Sequence, residues 1–203
     1  MSSITEETFI DSRHRLIDAA TEVFKEEGYR ASVERIAARA GVAKQTLYNH
    51  FPSKDKLFAE MVRHASGAIL VALDGDESDV RESLLRFSAS FRGRVLGDCL
   101  DHYRTLIAEA VRFPDLARSF YDNGPAQTAG RLADFLGRAM TKGALRNDDP
   151  DFAADMLLGM LTGIERTGRL CGRSSLSPEA EAERVARIVD CFLLAFAPER
   201  KDS

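Results

Sequence analysis

The 203-residue chain has no tryptophan and only three cysteines, four tyrosines and six prolines. Its cysteines, Cys99, Cys171 and Cys191, are scattered and form no Cys-x-x-Cys pair, so they outline neither a zinc ribbon nor a disulfide scaffold. They read as reduced thiols, with Cys171, beside Gly172 in an expected loop, the one placed for reactivity. The four histidines, His14, His50, His64 and His102, show no metal-ligand spacing. There is no glycine-rich phosphate loop and no Gly-x-Ser-x-Gly elbow. The adjacent carboxylates Asp148 and Asp149 fall in an expected loop and read as helix caps. No enzyme, metal or cofactor is expected from these absences. Long apolar runs are missing too, since none approaches the roughly 20 residues that span a bilayer. The opening MSSITEETFIDSRHRL lacks the basic-then-apolar order of a secretory signal. A cytoplasmic protein with no membrane partner is the expectation.

Charge of one sign does not dominate either: the net charge is −4. That average conceals an asymmetry. Residues 28–64 hold seven Lys/Arg against three Asp/Glu, a balance of +4, whereas residues 1–27 and 65–203 each come to −4. A basic island in an acidic chain is a local electrostatic footprint, suited to a polyanion at one place only.

What is present is helical periodicity. Neither an alternating strand pattern nor an Asn-Gly hairpin turn is found. From Arg13 to Glu27 the residues Leu16, Ile17, Ala20, Val23 and Phe24 recur at helical spacing until Gly28 stops them. Ser32 is a plausible cap for a second helix with Val33, Ile36, Ala37 and Ala40 on one face. Gly41 permits a tight turn. A third helix over roughly Ala43 to His50 ends before Pro52, and Ser53 can cap a fourth. The DGDES stretch at 74–78 reads as a separator. Beyond it the pattern predicts helices over Asp79–Leu96, Asp98–Arg112, Asp115–Asn123 and on to Lys142 after a break at Gly124-Pro125. Further helices begin at Pro150 and Pro178, each proline preceded by a capping residue. The class is all-α, with about nine helices.

The stretch GVAKQTLYNHFPSKDKLF, 41–58, carries the chemistry. Two short helices about a glycine turn suggest a helix-turn-helix, whose second helix packs with one face and enters the DNA major groove with the other. Val42, Leu47 and Phe51 suit the packed side. Gln45 and Asn49 can read adenine through paired hydrogen bonds, and the Thr46 methyl can touch that of thymine. Lys44, Tyr48, His50 and Lys54 suit phosphate oxygens, as do Ser32 and Arg35, with Arg39, on the preceding helix. An ordinary solvated face is the bland alternative.

Residues 13–61 resemble the DNA-binding domain of TetR-family transcriptional regulators. The resemblance is carried by Leu16-Ile17-Asp18-Ala19-Ala20, Phe24, Gly28-Tyr29, Val33, Ile36-Ala37, Ala40-Gly41-Val42, Lys44, Thr46-Leu47-Tyr48, His50-Phe51, Ser53-Lys54 and Leu57-Phe58. Two departures stand out. The turn after Tyr29 is one residue short, leaving Ser32 where a Ser/Thr pair is usual, and Ala43 replaces a frequent Ser. The segment LIAEAVRFPDLARSFYDNGP, 106–125, resembles one recurring C-terminal type of the same family. The resemblance implies a helix-turn-helix DNA-binding domain over 1–58, with three helices. It also implies a larger helical effector-binding and dimerisation domain over 59–203. The implied protein is a homodimeric repressor of a palindromic double-stranded DNA operator, nucleoid-associated when bound. It would be released by a small apolar or amphipathic effector. A regulator without such a ligand, controlled by a protein partner or acting as an activator, is the alternative.

Aromatic and sulfur side chains of the larger region are pocket candidates: Phe87, Phe91, Phe120, Tyr121, Met156 and Met160, with His102 and Tyr103 as polar groups. Plain core is the competing reading for each. Val185, Ile188, Val189, Phe192, Leu193 and Phe196 form a wide apolar stripe. Gly159 and Gly163, four apart, would admit a close helix. The resemblance implies that these residues form an intersubunit four-helix bundle; packing within one chain is the alternative.

Overall fold

The computed structural model describes residues 2–74 and 79–198, so all of the expected DGDES separator except Asp74 lies outside the described residues. Among the described residues there is no strand, and ten α-helices form. They are α1 (Ser2–Glu27), α2 (Val33–Ala40), α3 (Lys44–His50), α4 (Lys54–Leu70) and α5 (Val80–Gly93). There follow α6 (Leu100–Glu109), α7 (Pro114–Asn123), α8 (Pro125–Thr141), α9 (Pro150–Leu170) and α10 (Pro178–Ala195). The helix α1 starts eleven residues before the expected Arg13, because no proline or glycine interrupts 2–27 and apolar periodicity marks only the packed part. Gly124 separates α7 from α8, which raises the count to ten. Asp149 and Ser177 cap α9 and α10 with their side chains, and Pro150 and Pro178 open those helices as the sequence leads one to expect.

Two compact units form. The first takes the residues up to Ser66 together with Asp101–Gly124. Its core joins Leu16, Val23 and Phe24 of α1 to Ile36 of α2, Leu47 of α3 and Leu57 of α4. Leu106 of α6 and Leu116 of α7 belong to that same core. The boundary expected after Phe58 therefore falls inside one continuous helix, α4, and α6 and α7 group with the N-terminal helices.

The second unit takes Gly67–Leu100 and the residues from Pro125 on. Phe87 of α5, Phe135 of α8, Leu157 of α9 and Phe192 of α10 meet in its core. Val185, Val189, Phe192 and Phe196, expected to face a second subunit, are buried against their own chain. Of that stripe Ile188 and Leu193 are half-buried. An apolar stripe requires a cover, and periodicity does not say which chain provides it. Gly163 also differs from its expected use. It breaks α9 with φ 45° and ψ −149°, a conformation open almost only to glycine, and no atom lies within 4 Å of where its Cβ would be. Here glycine supplies a kink; within this chain it admits no close neighbour.

At that kink sits a feature with no local signal in the sequence. Arg92 of α5 is the largest fully buried side chain. It donates to the Leu161 carbonyl beside the break, to Glu165 of α9 at 2.9 Å, and to both carboxylate oxygens of Glu181 of α10 at 2.5 and 2.9 Å.

Candidate nucleic-acid interface

The geometry of α2 and α3 starts at three small residues. Ser32 caps α2 by accepting from the Arg35 N–H. Gly41 takes the left-handed conformation, φ 67°, and the chain reverses as the Val42 N–H bonds back to Ala37 at 3.0 Å. Ala43 then opens α3 with no side-chain cap bond, as its lack of a hydroxyl requires. Leu47 and Phe51 are buried and Val42 is half-buried. Ser53 caps α4, accepting from the Lys56 N–H at 3.2 Å.

With Leu47 inside, most of the rest of α3 points outward. Lys44, Gln45 and Asn49 are exposed, Tyr48 is 39% exposed, and Thr46 is half-buried. Gln45 donates from its amide nitrogen to the Asn49 amide oxygen at 3.1 Å, so the two amides form one aligned pair a helical turn apart. The Lys44 ammonium lies 5.8 Å from the centre of the Tyr48 ring. It also bonds Glu34 of α2 at 2.5 Å. That bond holds the Glu34 carboxyl below, and the Lys44 ammonium above, its ordinary pKa. Arg35 pairs with Glu27 at 2.9 Å, and Arg39 with Glu26 at 2.6 and 2.8 Å.

Two expected phosphate contacts are placed differently. Lys54 turns its ammonium inward: it donates to the Tyr29 carbonyl and lies 4.3 Å from the Tyr29 ring centre. Burial lowers its pKa. Tyr29 in turn donates to Asp55 and packs its ring against Phe24 and Phe58. Lys54 is thus held by the fold. His50 has Nε2 2.8 Å from the hydroxyl of Ser12 on α1. Burial, and then the Arg13 charge, push its pKa below the ordinary histidine value. Neither Tyr29, Ser12 nor the three glutamates has a sequence spacing that announces these contacts.

The pocket candidates divide between the units. Phe87 and Phe91 stack at 5.7 Å in the second, where Met160 is half-buried and Met156 exposed. Tyr103 and Phe120 lie 6.3 Å apart in the first, together with His102 and the exposed Tyr121. Among the described residues no three His, Cys, Asp or Glu side chains could hold a metal ion, and no helix is long and apolar enough to cross a membrane.

Two short helices meeting at a left-handed glycine, the second anchored by Leu47 with Lys44, Gln45, Tyr48 and Asn49 turned to solvent, define a helix-turn-helix transcriptional regulator. Residues 16–61 match the profile of bacterial regulatory proteins of the tetR family. Residues 82–198, more than half of the chain, match that of the C-terminal domain of AefR-like transcriptional repressors. The chain belongs to the TetR family of transcriptional regulators. It is 26% identical to the HTH-type transcriptional repressor Rv1474c of Mycobacterium tuberculosis over 184 residues, 84% of this chain and 92% of that protein. The solved structure of the flavonoid-responsive regulator FrrA is 32% identical, with a TM-score of 0.72, covering 93% of this chain and 98% of FrrA. A TetR transcriptional regulator from Agrobacterium tumefaciens shares the fold at 22% identity and TM-score 0.71, over 93% of this chain and 96% of its own.

Proposed function

We propose that this regulator is a homodimeric repressor that grips a palindromic operator through α3 and lets go when a small aromatic or amphipathic molecule binds. The observation that carries the reading is the Gln45–Asn49 amide pair, exposed on α3 beside Lys44. Uncharged, paired donors and acceptors on an exposed helix face suit base edges in a major groove. Repression is supported by the repressor names of Rv1474c and of the matched C-terminal domain. An aromatic effector is supported by the flavonoid response in the name of FrrA.

A second copy has a surface to cover. The helices α9 and α10 leave Phe152, Met156, Ile164 and Leu194 exposed, Ile164 at 86% and Leu194 at 78%. Gly159, also exposed, adds a place where a facing helix can come near. In a dimer the two α3 helices enter successive major grooves about 34–36 Å apart. The effector shifts the balance only by the difference between its affinities for the bound and released states. A coupling of about 1–3 kcal/mol changes operator affinity roughly 5–150-fold.

The test is a gel shift with the DNA upstream of the chain's own gene, with and without flavonoids. A retarded band that flavonoids dissolve is the expected result. Gln45→Ala should flatten the preference at particular base pairs by about 1–3 kcal/mol. An even loss across all sequences would remove base reading from Gln45, and absence of any shift would remove operator binding.

A further inference from the structure

Three cations of the basic island, Arg35, Arg39 and Lys44, are not presented freely. Glu26 and Glu27 lie at the C-terminal end of α1, where the helix dipole disfavours carboxylates. The dipole therefore gives no reason for them. Each nevertheless holds an arginine of α2: Glu26 takes both terminal nitrogens of Arg39, and Glu27 takes Nε of Arg35. Glu34, in the first turn of α2, reaches across the turn to Lys44 of α3. Every partner in these three pairs is a third or more exposed. Pairs so exposed contribute little to folding stability, so a purely stabilising role leaves them unexplained.

We infer that Glu26, Glu27 and Glu34 set the specificity of DNA recognition, by competing with backbone phosphate for Arg39, Arg35 and Lys44. The inference rests on the operator-binding reading above. A duplex that recruits one of these cations must take it from its carboxylate, and the carboxylate left behind then stands near phosphate. Sequence-independent binding draws essentially all its strength from cation–phosphate contacts, so it loses most to this competition. The Gln45–Asn49 pair carries no charge and loses nothing. The chain then binds arbitrary DNA weakly and gains affinity where the amides find their bases.

The experiment uses the full chain with Glu26→Gln, Glu27→Gln and Glu34→Gln, singly and together. Affinity is measured by fluorescence anisotropy for a random-sequence duplex and for the upstream duplex, across a salt series. Thermal melting checks the fold. The triple variant should bind the random duplex about tenfold or more tightly at low salt and show a steeper salt dependence, since no freed carboxylate takes up a cation. Its preference for the upstream duplex should narrow, with thermal melting little changed. Wild-type binding to DNA with no gain in the triple variant overturns the inference alone. No binding to either duplex by wild type and triple variant alike overturns the operator reading and the inference with it.

Discussion

Each unit supplies one side of a contrast between exposed and buried ion pairs. In the first, Lys44, Arg35 and Arg39 meet glutamates at the surface, where both partners keep much of their water. In the second, Arg92 meets Glu165 and Glu181 with its guanidinium side chain only 1% exposed. An exposed pair exchanges partners at small cost. A buried one resists, because losing either partner strands a charge away from water. Burial thus separates cations that are free to change partners from one that holds a shape. The first arrangement suits a surface that docks on a polyanion; the second suits a helix that must stay broken at Gly163.

The sharpest way to break this contrast is Arg92→Met. It keeps much of the volume but leaves the Leu161 carbonyl and two carboxylates without their donor. A loss of about 3–5 kcal/mol in urea unfolding is expected. Returning Glu165→Gln and Glu181→Gln to the same chain should recover part of it, since the stranded charges are then gone. A loss under about 1 kcal/mol would put Arg92 in the same category as the exposed pairs.

Next in size is Gly163→Ala, expected to cost about 1–3 kcal/mol, because φ 45° with ψ −149° strains any side chain. Space is not the obstacle, as nothing crowds the position. Arg92 and Gly163 serve one kink, so the two changes together should cost less than their sum. Strict additivity, measured in a double-mutant cycle, would separate the arginine from the break.

These two residues also mark where the sequence stops being legible. The helix-turn-helix can be read because apolar residues at i, i+3 and i+4 and the stops at Gly28, Gly41 and Pro52 are local signals. Leu47 as the one inward residue of α3 follows from the same count. Arg92 reads as an ordinary surface charge, since nothing within a few residues shows that carboxylates arrive from positions 165 and 181. The inward contact of Lys54 is hidden for a similar reason: its partner Tyr29 lies 25 residues away. The stripe on α10 is visible, but which chain covers Val189 and Phe192 is a tertiary fact. The membership of Leu106 and Leu116 in the first core is likewise decided by long-range packing, outside the reach of any periodic pattern.

Lys54 tests whether every cation of the basic island is exchangeable. Lys54→Met retains the stem beside Tyr29 and Phe24 but removes the donor to the Tyr29 carbonyl. A stability loss of about 1–2 kcal/mol is expected, with the salt dependence of duplex binding unchanged. A slope reduced by about 0.9, the signature of one lost phosphate contact, would return Lys54 to the exchangeable set.

The smallest effect belongs to His50, which lies between the two kinds of group: half-buried, titratable, and joined to Ser12. Burial first, and the neighbouring Arg13 charge second, lower its folded pKa below the ordinary 6.5. The folded state therefore favours the neutral ring more than the unfolded chain does. The stability this contributes is fully present above the unfolded pKa and is lost as pH falls through that value toward the folded one. Between pH 7.5 and 5 the wild type should lose more stability than His50→Gln, which keeps a polar group near Ser12 but cannot take up a proton. Parallel melting curves for the two chains over that range would show that the imidazole charges as easily in the fold as out of it, and would place His50 with the exposed cations.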